Sequence, residues 1–209
     1  MTTNSAQAKF NMIAQQIRPW EVLDDHVLEV IDSIDRVNFV NEIHKGLAYA
    51  DCQIPVCESS SMLPPIIEGR MLQALTIAKS DEALQIGTGS GFVTACLATL
   101  AKKVDSIDCN PIATEIAQKN IDRYGFKNVQ IMTCTKGLHS PEQDYDVIAV
   151  TGAVAKIPDT YKHALKIGGR LFLVVGKLPI MQALLITRIG ASEWQTESLF
   201  ETVIPPLSQ

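Results

Sequence analysis

The chain has 209 residues, of which 46% are hydrophobic and 20% charged, and its net charge is −5. That is enough apolar content for one packed core with a terminal extension, and too much for a disordered chain. The lack of any basic run argues against a nucleic-acid groove built on phosphate contacts, and no apolar stretch reaches the length of a membrane span.

The N-terminus, MTTNSAQAKFNMIAQQIRPW, lacks the basic, apolar and cleavage segments of a signal peptide. The five cysteines, Cys52, Cys57, Cys96, Cys109 and Cys134, form no CxxC pair. They read as small buried residues rather than a disulfide frame or a zinc site, and a reducing cytoplasm is the expected compartment.

Residues 22–34, VLDDHVLEVIDSI, place Val27, Val30, Ile31 and Ile34 at helical spacing. The following YADCQIPVCESSSMLPP, rich in Pro and Ser, is expected to be irregular. Residues 1–66 thus read as a helical N-terminal extension with a substrate-side loop, and 67–209 as an α/β core. From Glu82 the pattern alternates. Strand candidates are 83–86, 104–108, 129–132, 146–150 and 170–175, and the last two, 183–189 and 198–204, form an antiparallel pair at one edge.

Between them, 91–101 is a helix with Val93, Leu97 and Leu100 on one side. In 109–125, Asn110 suits the N-cap, Pro111 the first turn and Gly125 the stop, with Ile112, Ile116 and Ala117 expected to face the sheet. Residues 157–167, IPDTYKHALKI, are expected to form a short helix ending at Gly168–Gly169. Strands alternating with helices predict a Rossmann-like, doubly wound parallel sheet whose ligand sits beyond the strand C-termini.

In ALQIGTGSGF, residues 83–92, a strand runs into Gly87, Gly89 and Gly91. Phe92 stands where a dinucleotide fingerprint wants Gly or Ala, and no Gly-Lys-Ser/Thr follows to make a P-loop. Such a loop suits a cofactor without a pyrophosphate, approached closely by bare backbone. Asp108 ends the next strand, 21 residues past Gly87, where a carboxylate can accept from both ribose hydroxyls of an adenosine cofactor. Together these features suit S-adenosylmethionine. Thr151, at the end of the fourth strand, is a further candidate contact.

ALQIGTGSGF, VDSID, YDVIAVTGA and LKIGGRLFLVVG, in that order, resemble the protein-L-isoaspartate O-methyltransferase family, as do MIAQQIRPWEVLDDHVLEVIDSIDRVNFV and AYADCQIPV before them. The resemblance covers roughly residues 10 to 207. It implies a seven-stranded methyltransferase sheet, S-adenosyl-L-methionine as methyl donor, and methyl transfer to the α-carboxylate of isoaspartyl residues in damaged proteins. The resulting ester closes to a succinimide that reopens partly to normal aspartate. The implied cofactor-binding set is Gln85, Gly87, Thr88, Gly89, Gly91, Asp108, Cys109, Cys134, Thr135 and Thr151. Ser60 and Ser61 are the candidates for holding the acceptor carboxylate, which is already a nucleophile and needs no general base.

Three departures stand out. SSSMLPP replaces a GQTIS-type segment, with Leu63 in the place of its last serine; Cys134–Thr135 replaces a Gly-Asp near the adenine; Gln85 replaces a glutamate. Gln85 keeps an acceptor, gains two donors and loses the charge, a change worth about 1 kcal/mol, somewhat under tenfold in affinity. The residues leave open a methyltransferase with another acceptor, and a non-catalytic member with weak cofactor binding acting through protein contacts.

Overall fold

The structure, a computed structural model, describes residues 3–134 and 144–207. Helix α1 (Thr3–Asn11) runs on through a π-helical stretch, Met12–Ile17, and a 3-10 turn, Arg18–Trp20, before α2 (Asp25–Ser33). A hairpin follows, β1 (Ile54–Cys57) and β2 (Ser60–Met62), and then α3 (Pro65–Leu75). The core continues as β3 (Glu82–Ile86), α4 (Phe92–Leu100), β4 (Lys103–Asp108), α5 (Pro111–Tyr124), β5 (Val129–Thr133), β6 (Tyr145–Val154), α6 (Asp159–His163), β7 (Leu165–Lys177), β8 (Ile180–Gly190) and β9 (Glu193–Thr202). None of the described helices is long and apolar enough to cross a membrane.

Seven strands make one sheet in the order β5-β4-β3-β6-β7-β8-β9. The first five run parallel, and β8 and β9 are antiparallel to their neighbours. The order reverses about β3, so the loops after β3, β4 and β6 meet at a switch point. Alternate residues of each strand serve opposite faces. Ala83, Val147, Ala149, Phe172 and Val174 join the larger core with residues of α2, α3, α4 and α5. Leu84, Ile148, Val150, Leu171 and Leu173 join a smaller core with Tyr161 of α6.

Local chemistry sets the helix ends. Asp24 caps α2, its carboxylate accepting from the N–H of His26 at 2.9 Å and of Val27 at 3.2 Å. Asn110 caps α5 by accepting from Ile112 N–H at 2.9 Å and Ala113 N–H at 3.4 Å. Gly125 ends that helix with φ +74°. The expected Val27, Val30, Ile31 and Ile34 are buried, as are Val93, Leu97 and Leu100.

Four expectations are corrected. Ile112 is 55% exposed and Ile116 half-buried, whereas the expected Ala117 is buried, together with Ala113, Thr114, Asn120 and Ile121. The stretch expected to be irregular contains the β1–β2 hairpin, because Ile54 and Met62 are buried and pair across it. The helix expected over 157–167 is only Asp159–His163. Strand β7 begins at Leu165 and runs through Gly168–Gly169, since Leu165 pairs with Tyr145 of β6. Finally, Cys96 alone of the five cysteines is fully buried.

Gly91 lets α4 and α5 approach closely in the core. It has φ +83°, and a Cβ there would lie 3.2 Å from Ala117 Cα and 3.3 Å from Ala117 O. Gly91→Ala is expected to cost about 1–3 kcal/mol through backbone strain and displacement of α5. Urea denaturation measures this, and a change within 0.5 kcal/mol, about the scatter of a neutral surface change, would contradict it.

Candidate functional site

Beneath the glycine loop lies a buried polar network. Gln85 Nε2 donates to Gly87 O at 2.9 Å, and its Oε1 accepts from Thr94 Oγ1 at 2.6 Å. Ser106 Oγ pairs with Thr88 Oγ1 at 2.8 Å. All four side chains are buried. A glutamate at 85 has no donor for the Gly87 carbonyl, so the neutral amide suits the loop as folded here. Gln85 therefore orders the loop from below.

Asp108 crosses from β4 to the same loop. Its Oδ2 accepts from Gly89 N–H at 3.0 Å and its Oδ1 from Asn110 N–H at 2.9 Å. Each carboxylate oxygen has a second lone pair, so capacity for two hydroxyl donors remains. On the other side, Thr151 at the bulge of β6 donates to Ile86 O at 3.1 Å and is also within reach of Gly87 O.

The hairpin brings the serines across from the glycines. A Cβ at Gly89, which has φ +55°, would lie 3.8 Å from Ser60 Oγ and 4.0 Å from Ser61 O. Asn110 Nδ2 ties the hairpin turn by donating to Glu58 O at 2.9 Å. The result is an open cleft lined by Ser59, Ser60, Ser61, Gly87, Gly89, Asp108, Thr151 and Gly152, and flanked by the C-terminal segment Pro205–Leu207.

Of the expected residues, Ser60, Ser61, Gly87, Gly89, Asp108 and Thr151 thus share one cleft. The Thr88 side chain points down to Ser106, and Gly91 faces α5. Cys109 and Cys134 follow the paired residues Asp108 and Thr133 at the ends of β4 and β5, with Cys134 N–H donating to Asp108 O at 2.9 Å. Burial, then the Cys134 sulfur and the Asp108 carboxylate, push the Cys109 thiol up. Thr135 lies outside the described residues. Leu63, in the place of the serine, is buried in the core.

Sequence reading missed Gly152 and the tail. A Cβ on Gly152 would lie 2.6 Å from Leu207 Cα, and Leu207 N–H donates to Ala153 O at 2.9 Å. Gly152, following Thr151 at a strand end, was a local hint of close backbone approach; the tail left no such signal.

The sequence model described as protein-L-isoaspartate(D-aspartate) O-methyltransferase matches residues 7–208. A protein-L-isoaspartate O-methyltransferase 2 of Marinobacter nauticus is 35% identical over 198 residues, covering 94% of this chain and 90% of that protein. A protein-L-isoaspartate O-methyltransferase of Koribacter versatilis is 33% identical, covering 98% of this chain and 92% of its own. Among solved structures, a Plasmodium falciparum protein described as a protein-L-isoaspartate O-methyltransferase, in complex with S-adenosyl-L-homocysteine, superposes with a TM-score of 0.78 at 18% identity, over 97% of both chains. At that identity the likeness speaks for the fold.

Proposed function

This chain belongs to the protein-L-isoaspartate O-methyltransferase family, and from that premise we propose that it transfers the methyl group of S-adenosylmethionine to the α-carboxylate of isoaspartyl residues in proteins. The observation that carries the reading to this chain's own residues is the single cleft in which the glycine loop, Asp108 and the serine hairpin face one another.

The residues present fit the cofactor. Bare backbone at Gly89, where an added Cβ would meet nothing nearer than 3.8 Å, leaves room for a ligand to lie against the loop; Gly87 is instead backed by Thr151 and Leu207, and the free lone pairs of Asp108 suit a ribose. In this reading Gly87, Gly89 and Asp108 hold the cofactor, Gln85 and Thr88 shape the loop from beneath, and Thr151 fixes the Ile86–Gly87 turn. S-adenosylmethionine, when bound, supplies an electrophilic methyl group. Ser60 and Ser61 donate hydroxyls to the acceptor carboxylate and turn one oxygen toward that methyl. No proton has to move, so positioning is the main demand on the protein. Pro205–Leu207 wall the cleft and limit water.

The buried Leu63 favours one competing reading, a different acceptor, because a serine hydroxyl is missing from the acceptor side. Two measurements decide. Titration calorimetry with S-adenosylmethionine is expected to show binding, and none at millimolar cofactor would overturn both methyltransferase readings. Labelled methyl transfer to an isoaspartyl peptide, recovered as base-labile ester, is expected for the repair activity; cofactor binding without transfer would favour the other acceptor.

A further inference from the structure

A buried ion pair, Arg36–Glu68, sits behind this site and has no part in the chemistry above. The two side chains are 1% and 2% exposed, and Arg36 Nη1 contacts Glu68 Oε2. Arg36 Nη2 donates to the carbonyl of Leu63 at 2.6 Å, where the serine hairpin joins α3. The guanidinium also lies over the Phe92 ring, 4.9 Å from its centroid, and Phe92 opens α4 directly after the glycine loop. Glu68, on α3, lines a small hollow together with Ser61, Leu63, Gln85, Gly87, Thr88 and Gly89.

We propose that Arg36 and Glu68 are positioning residues: the pair fixes the carbonyl end of the serine hairpin relative to the glycine loop, and so sets the acceptor against the methyl donor. Three links support this. The fork of one guanidinium spans two acceptors that belong to different elements, Glu68 on α3 and Leu63 at the hairpin exit. The same group packs on the first residue of α4, so hairpin and glycine loop share one anchor. Burying two charges is not a route to stability in itself, because well-packed apolar residues of similar volume usually serve at least as well. A pair retained here fits a role in geometry.

The role in turnover rests on the proposed acceptor; the role in ordering the hairpin does not. The test is the double variant Arg36→Met/Glu68→Leu, which removes both charges together and leaves neither stranded, beside Arg36→Lys, which keeps the charge but offers no planar fork. Amide hydrogen exchange over residues 59–63 is read with calorimetry for S-adenosylmethionine and with kcat on an isoaspartyl peptide. A positioning pair predicts exchange at 59–63 faster by about tenfold or more, kcat lower by a similar factor, and cofactor affinity within about threefold of the parent chain, since misplacement costs the oriented step and not the donor's binding. Unchanged exchange at 59–63 in a folded double variant would overturn the proposal. Should that variant not fold, Arg36→Lys decides by the same readout. Should the parent chain methylate no isoaspartyl peptide, the acceptor reading fails, while the exchange result still judges the pair.

Discussion

Asp108→Ala is expected to weaken S-adenosylmethionine binding at least tenfold. The carboxylate has two tasks in the cleft. It accepts from Gly89 N–H and Asn110 N–H, which joins the glycine loop to the cap of α5. It also faces the cleft with the lone pairs a ribose would use. A charge-assisted hydrogen bond contributes about 1.5–3 kcal/mol, so losing one such contact already exceeds tenfold. Asp108→Asn keeps an acceptor but loses the charge, and is expected to fall between Asp108→Ala and the parent chain. Calorimetry on the three proteins measures this, with thermal melts to confirm that each is folded. An unchanged dissociation constant for Asp108→Ala would remove the residue from the site.

Glu68→Leu alone is expected to lower the unfolding free energy by about 3–5 kcal/mol, the usual result of leaving one charge of a buried pair without its partner. Arg36 is 1% exposed, and its remaining described contacts would be Leu63 O and the Phe92 ring. Adding Arg36→Met should recover most of the loss, because both charges are then gone. Urea denaturation of the single and double variants measures the difference; a loss below about 1 kcal/mol for Glu68→Leu, the size expected of a surface pair, would contradict the argument.

The same pair fixes a pH dependence. Burial pushes the Glu68 carboxyl up to about 7 from an ordinary 4.5, against the downward pull of Arg36. A raised folded-state value means that the folded protein holds the proton longer than the unfolded one. The stability it contributes is present below the ordinary value and lost as pH rises through the folded value. Relative to Glu68→Gln, the parent chain should therefore lose stability between about pH 4.5 and 7 and change little above. A difference in melting temperature that stays flat across that window would refute it.

Much of the fold was legible because its determinants are local. The alternation of 83–86, 104–108, 146–150 and 170–175 with helical stretches gave the parallel sheet. Asn110, Pro111 and Gly125 gave α5 its ends, because a cap and a left-handed stop act within a few residues of themselves. The same was true of the site's first half, where glycines and an acid at fixed spacing sit on two neighbouring strands.

The misreadings share one cause. Residues 157–167 have helical composition, yet Leu165 is taken by a strand because Tyr145 offers it a partner 20 residues away. Ile112 has the right spacing for the sheet face, but the cap of α5 fixes the helix phase one residue further on, so Ala113 and Ala117 go inward. The serine stretch forms a hairpin because Ile54 and Met62 both reach the core.

The sequence by itself therefore determined the class of fold, the family and the glycine-loop wall of the candidate cleft, because periodicity, capping and loop spacing act over a turn or a strand. Only the tertiary structure decided the rest. The C-terminal Leu207 lies on Gly152, 55 residues away, and Arg36 reaches Glu68 and Leu63 from the N-terminal extension. Contacts of that kind depend on which surfaces remain to be covered once the sheet has formed. A buried charge or a backbone carbonyl finds its partner by position in space, and neighbours in the chain carry no mark of it.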